Sequence, residues 1–252
     1  PGDVGTRLRA SVTVTDLLGN VPVVTAPAAG PVGDLINGTA FGNTLTGTAF
    51  SDIINGAGGN DTINANAGDD TISGGTGNDT VNGGAGDDTV VWNAGLLGGD
   101  GRDIVDGGTE TTAGDTFVIN GTDTAETYRV YTRDAYLTAG SPNGAINAAT
   151  EIVVTRQAGL ATALIAELRE IEEIVINTNG GGLFNDNDQV LIIGNFTGTS
   201  LNYNTITING TEGADEVDIS GLDSAHRILF RTGGGQDMIV AALRAQDVIE
   251  AP

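Results

Sequence analysis

Between Gly56 and Val90 the apolar positions recur every nine residues, at Ile63, Ile72, Val81 and Val90, each directly after a threonine. One aliphatic residue per nonamer cannot make a helical stripe, which needs apolar residues three and four apart, nor a long alternating strand. It predicts a strand of about three residues with one side chain inward, joined to the next by a glycine-rich turn. Written out, the stretch is GAGGNDTIN, ANAGDDTIS, GGTGNDTVN and GGAGDDTVV, aligning as G-G-x-G-x-D-x-U-x. Asp61, Asp70, Asp79 and Asp88 hold the D position.

The phase extends in both directions. GTAFGNTLT from Gly38 and GTAFSDIIN from Gly47 carry Phe41 and Phe50 where glycine is usual and put Asn43 and Asp52 at the D position, as a weakened cap would. Downstream, a six-residue insertion from Trp92 to Leu97 precedes GGDGRDIVD with Asp103, and GGTETTAGDTF, three residues longer than the repeat, brings Asp115. If two nonamers make one coil, turns eighteen residues apart stack. One column is then Asn43, Asp61, Asp79 and Asp103, the other Asp52, Asp70, Asp88 and Asp115.

From Val118 the motif fades while short β-branched runs persist at 128–131, 151–155, 173–177, 189–193 and 204–209, as further solenoid coils would show. Leu164 to Ile174 is ambiguous: its Glu and Leu content suits a short helix, and strand is the better reading only for 173–177. GTEGADEVD from Gly210 and TGGGQDMIV from Thr232 then restore the repeat, with Asp215 and Asp237 expected in adjacent turns of one column. Asp186 and Asp188 read as a solvated Asn/Asp turn, with an irregular repeat as the alternative. At the other end, alternation at Leu8, Ala10, Val12 and Val14 followed by Val21 to Thr25 signals a β-hairpin. The resulting organisation is a hairpin at 1–25, a linker at 26–36, a β-roll at 37–120, irregular solenoid coils at 121–200 and second repeat-like coils at 201–252.

The nonamers resemble the RTX β-roll family of secreted bacterial proteins. That resemblance implies an all-β, right-handed parallel β-roll or β-helix whose turns bind calcium. The residues support the same chemistry directly. Stacked turns would face each other across gaps lined by carboxylates and backbone carbonyls, with no nitrogen or sulfur donor, which suits a hard cation taking six to eight oxygens. The candidate ligands are Asn43, Asp52, Asp61, Asp70, Asp79, Asp88, Asp103, Asp115, Asp215 and Asp237, each aspartate bridging two sites. The turn glycines Gly56, Gly59, Gly74, Gly75, Gly77, Gly83, Gly84, Gly86, Gly99 and Gly101 complete the set.

Charge sharpens this picture. Asp and Glu number 33 against 10 basic residues, all arginine, for a net charge of −23, which repels nucleic acid. The 39% apolar content argues against simple disorder. The 252 residues contain no Cys, so no disulfide braces the glycine-rich turns, and no run of about 20 apolar residues predicts a membrane-spanning helix. The opening PGDVGTRLRAS has no signal-peptide layout, so export by another signal or excision from a longer chain is expected. With one inward aliphatic per nonamer and carboxylates repelling down each column, the array is expected to fold only when calcium binds.

Other constellations have plainer readings. His226, the one histidine, lies with Asp223 and Ser224 in LDSAHRILF; triad partners normally come from separate segments, so a buried or strand-edge histidine is the better reading. Glu167, Glu170, Glu172 and Glu173 could be acid/base carboxylates, but a solvated charged face is simpler. The outward threonines Thr44, Thr62 and Thr80, and Thr71 and Thr89, would match an ice-binding surface, though β propensity explains them equally well.

SAHRILFRTGGGQDMIVAALRAQDVIEAP and EIEEIVIN resemble the carboxy-terminal region of large secreted haem-peroxidase or adhesin-type RTX proteins. This implies a secreted or cell-surface location, type I secretion, and upstream domains of the same polypeptide or surface glycans as partners. Two functions are open: a non-enzymatic calcium-binding module serving secretion, stability or adhesion, which includes the accessory region of a secreted haem peroxidase, or a carbohydrate-active β-helix or its substrate-binding module.

Overall fold

The computed structural model describes residues 11–13, 23–25, 33–95, 99–178, 187–201 and 205–251. Strands β1 (Ser11–Thr13) and β2 (Val23–Thr25) pair antiparallel. The rest of the expected hairpin, the stretch 26–32 and Asp186 lie outside the described residues. The first solenoid strand begins at Leu35, within the stretch read as linker.

From there the chain alternates between two sheets, one short strand in each, because every nonamer supplies one strand and one turn. One sheet takes β3 (Leu35–Asn37), β5 (Ile53–Asn55), β7 (Thr71–Ser73), β9 (Thr89–Asn93), β11 (Thr116–Asn120), β15 (Glu173–Asn177), β17 (Thr205–Asn209), β19 (Ile228–Arg231) and β21 (Val248–Glu250). The other takes β4 (Thr44–Thr46), β6 (Thr62–Ala67), β8 (Thr80–Ala85), β10 (Asp103–Thr109), β14 (Ala161–Arg169), β13 (Ile152–Ala158), β12 (Glu126–Thr132), β16 (Gln189–Gly194), β18 (Glu216–Leu222) and β20 (Met238–Val240), in that spatial order. The parallel β-roll is therefore present, and it continues well beyond the nonamers in the same two sheets.

Register follows the repeat. Thr62 pairs with Thr80 and Ile63 with Val81, while Ile54, Ile72, Val90 and Phe117 line up in the facing sheet. These inward residues from both sheets merge into one core that runs on through Ile174, Ile206, Ile228 and Val217. Trp92 belongs to β9 and is fully buried in that core, so the insertion begins after the strand rather than at the tryptophan.

Among the described residues the regular winding is interrupted once. β12, β13 and β14 form an antiparallel meander that adds two strands to one sheet while β11 and β15 stay adjacent in the other. The run 151–155 is thus a reversed strand, not another solenoid rung. The helix-like stretch 164–174 is also strand up to Arg169. Its apolar residues are buried on both faces: Ile165, Ala166 and Leu168 meet the main core, and Leu164 joins Tyr131, Tyr136 and Val153 in a second cluster. Burial on both faces overrides local helix propensity. The short helix α1 (Arg133–Thr138) packs Tyr136 into this second cluster.

Candidate metal centre

Through the nonapeptide region each strand follows a D-position residue, or in β10 begins on one, and the strand's register fixes its height in the stack. The backbone amide of one such residue donates to the carboxylate of the next coil, producing two ladders. In the first, Asn43 N reaches Asp61 Oδ1 at 2.6 Å, Asp61 N reaches Asp79 at 2.7 Å and Asp79 N reaches Asp103 at 3.0 Å. In the second, Asp52 N reaches Asp70 at 2.7 Å, Asp70 N reaches Asp88 at 2.8 Å and Asp88 N reaches Asp115 at 2.7 Å. Both columns anticipated from the eighteen-residue coil are present. Asp215 and Asp237 also sit in adjacent turns of one column, joined at 2.9 Å.

The ladders are longer than the motif suggested. Asp34 heads the second by donating to Asp52, and Glu172 extends it by accepting from Asp115 N at 2.7 Å. Beyond the meander, Glu126 N donates to Asp188 at 2.6 Å and Asp188 N to Asp215 at 3.1 Å, so Glu126, Asp188, Asp215 and Asp237 form a third ladder. Asp188 is therefore a buried rung rather than a solvated turn, and Glu167 and Glu172 are buried rather than part of a charged face. The usable signal was shared: Asp115-Thr-Phe-Val-Ile-Asn120 and Glu172-Glu-Ile-Val-Ile-Asn177 have the same layout, an acid directly before a strand ending in Asn.

Two kinds of turn carry these rungs. In one, the second and fourth turn residues have left-handed backbone: Ala57 and Gly59 (φ 72° and 90°), Asn66 and Gly68, Gly75 and Gly77 (84° and 143°), Gly84 and Gly86, Gly99 and Gly101. Gly77 could carry no side chain there, since a Cβ would lie 2.0 Å from the Gly59 carbonyl oxygen. In four of these five turns the second carboxylate oxygen is stranded: Oδ2 of Asp61, Asp70, Asp79 and Asp88 is buried without a hydrogen-bond partner, and so is that of Asp115, reached after the left-handed Gly108 and Gly114. Carbonyls converge on the same points. A Cβ on Gly56 would lie 2.4 Å from Asp61 Oδ2 and 2.3 Å from the Gly74 carbonyl oxygen of the next coil; on Gly74 it would meet Asp79 Oδ2, and on Gly83 both Asp88 Oδ2 and the Gly107 oxygen.

In the other kind the turn opens Gly-Thr and the threonine closes it. Thr48 N donates to Asp52 Oδ2 at 2.5 Å and its hydroxyl to Oδ1 at 3.0 Å; Thr39 does the same to Asn43 Oδ1. Thr211 N reaches Asp215 Oδ2 at 3.0 Å and Thr122 N reaches Glu126 Oε2 at 2.9 Å. Neither the second nor the fourth residue of these turns is left-handed. Asn43, Asp52 and Asp215 thus lie in the predicted columns with protein donors on the oxygens that are stranded elsewhere.

Burial acts on several of the ladder acids. It raises Asp70 to about 7, Asp79 to about 6, Asp103 to about 8 and Asp115 to about 7, against the pull of the backbone amides and with like charges along the ladders adding to the rise. Asp88 and Glu172 move upward for the same reason, as does the less buried Asp237. A buried oxygen that can only accept, with carbonyls beside it and no donor in reach, fits a cation bound through oxygen. Asp61, Asp70, Asp79, Asp88 and Asp115 could hold it, with turn carbonyls such as those of Gly74 and Gly107.

A parallel β-solenoid whose glycine-rich turns present stacked, stranded carboxylates defines a class: the calcium-binding β-rolls. The RTX calcium-binding nonapeptide repeat matches in four copies, over residues 37–72, 64–95 and 96–110, so this segment carries those repeats. No curated protein matches the chain.

Proposed function

We propose that the chain is a non-enzymatic module of a secreted protein whose array from Gly56 to Asp115 folds on calcium. The observation that carries this reading is the row of five buried carboxylate oxygens without partners. Calcium, when bound, supplies the positive charge that offsets their mutual repulsion and the coordination that replaces their lost hydration. The chain's part is to align the rungs through amide-to-carboxylate bonds and to aim carbonyls at the same gaps. Extracellular calcium modules work at Kd values of about 10⁻⁴ to 10⁻³ M, so such an array would stay loose where calcium is scarce and become rigid outside the cell. Each site at ten times its Kd adds about 1.4 kcal/mol to folding.

Service to secretion, stability or adhesion of a larger polypeptide follows from that switch. The surroundings of His226 support a structural role: Nε2 donates to the Leu201 carbonyl at 2.7 Å and Nδ1 lies 3.0 Å from the Ser224 hydroxyl, tying two loops together. Among the described residues, no helix is long and apolar enough to cross a membrane. Calcium titration followed by circular dichroism tests the reading. β signal should grow cooperatively with calcium, and a full signal in excess chelator would sink it.

A further inference from the structure

We propose that Glu110, Asp115 and Glu172 form a calcium site of a different kind, at the seam where the nonapeptide array meets the irregular coils. It shares Asp115 with the second ladder and so rests partly on the calcium reading of that ladder. Glu172 lies outside the matched repeats, and Glu110 follows the strand β10 rather than holding a D position.

The three side chains can each place one carboxylate oxygen so that all lie within 4.8 Å of one another. Two calcium–oxygen bonds span about 4.6 to 5.2 Å, so one ion can touch all three. Asp115 is fully buried; its Oδ1 accepts the Asp88 amide and its Oδ2 has no partner. Glu172 is also buried and uses Oε2 for the Asp115 amide. Among the described residues none of the three makes an ion pair with arginine, although other buried acids in this half of the chain do. Three carboxylates held together without a counter-charge repel strongly in a partly dry site, and a cation relieves that.

The surroundings hold the cluster in place. Glu110 stands at the start of a loop whose amides, from Thr111 to Gly114, donate to the Asp87 carboxylate. At Gly107 a Cβ would lie 1.9 Å from the Glu170 carbonyl oxygen and 2.4 Å from Asp115 Oδ2, so a backbone oxygen converges on the same gap. Only oxygen donors are present, which favours a hard cation. Three carboxylates, where each nonamer turn brings one, make a tighter site, because ligand charge sets calcium affinity across otherwise similar sites.

The test is calcium retention by the full chain, measured by atomic emission after dialysis against buffered free calcium about tenfold below the midpoint of the circular dichroism transition. Wild type should retain one ion there. Glu172→Gln should abolish retention, and Glu110→Gln should weaken it about tenfold; Glu110 is exposed, so an unchanged circular dichroism spectrum of that variant in saturating calcium would exclude misfolding as the cause. Asp70→Asn should shift the array transition while leaving the retained ion. Retention unchanged in both glutamine variants, or no ion held by wild type below the transition, overturns the seam site. A seam ion that persists while Asp70→Asn leaves the array transition unmoved would count against the array reading and leave the seam site standing.

Discussion

The coils from Gly56 to Asp115 and those from Glu126 to Asp237 share sheets, core and amide-to-carboxylate ladders, yet they satisfy their buried acids differently. In the first region the second carboxylate oxygen is stranded. In the second, Glu126 accepts from Thr122 N, from the Tyr128 hydroxyl at 2.6 Å and from the buried guanidinium of Arg156, and Asp215 accepts from Thr211. Glu167 is likewise held by Arg102, Thr150 and Asn147, which keeps its carboxyl below the usual range despite burial. The ladder is thus a general device for stacking coils. Whether it demands a metal is decided by one turn residue and by the supply of arginine.

That contrast can be broken most decisively by chelation. With calcium removed, hydrogen exchange should show amides of 56–115 losing protection together, while those of β12 to β18 stay protected; uniform loss across both regions would erase the distinction. Next in size, Arg156→Ala leaves Glu126 buried and unpaired and should destabilise the second region by about 3 to 5 kcal/mol, equally with and without calcium. Denaturant unfolding in both conditions measures this, and rescue by calcium would contradict it.

A smaller effect separates the two turn types within the ladders. Asp79→Asn should raise the calcium midpoint about tenfold, equivalent to about 1.4 kcal/mol, whereas Asp215→Asn should move it less than about twofold. Equal shifts would show that the threonine closure is irrelevant.

Acidity gives a graded test of the same point. Asp70, Asp79, Asp103 and Asp115 have folded-state values of about 6 to 8, above the ordinary value of 3.8. The folded array therefore binds protons more tightly than the unfolded chain. Without calcium its stability should be fullest below about pH 4 and fall as pH rises through about 6 to 8. Calcium needs the ionised acids, so its apparent affinity should run the other way, weakening as pH drops from 8 to 6. Circular dichroism of the metal-free chain across this window should lose β signal with rising pH; a gain would invert the assignment.

Much of this was legible in the sequence where the period was strict. The nine-residue spacing of Ile63 to Val90 was enough for strand, turn, coil and both columns, because in a parallel stack register follows directly from spacing. Even the missing counter-charge was visible, as no basic residue lies between Arg9 and Arg102. What stayed hidden depended on partners far along the chain. Glu172 reads as surface charge until β15 is known to lie beside β11, and Leu164 to Leu168 reads as helix until both faces are seen covered. The difference between turns that open Gly-Thr and turns that do not was present in the letters. Its meaning required the hydrogen bonds of Thr48 and Thr211.

The meander of β12, β13 and β14 also has a mechanical consequence. Strands lie across the long axis of a solenoid, so a pull on its ends peels parallel coils one at a time, each held only by its neighbours. At the meander three strands are stitched by two antiparallel ladders, with the Glu126 and Arg156 pair bridging β12 and β13. Peeling that begins at the array should stall there, making the centre of the chain a clamp against traction from either end.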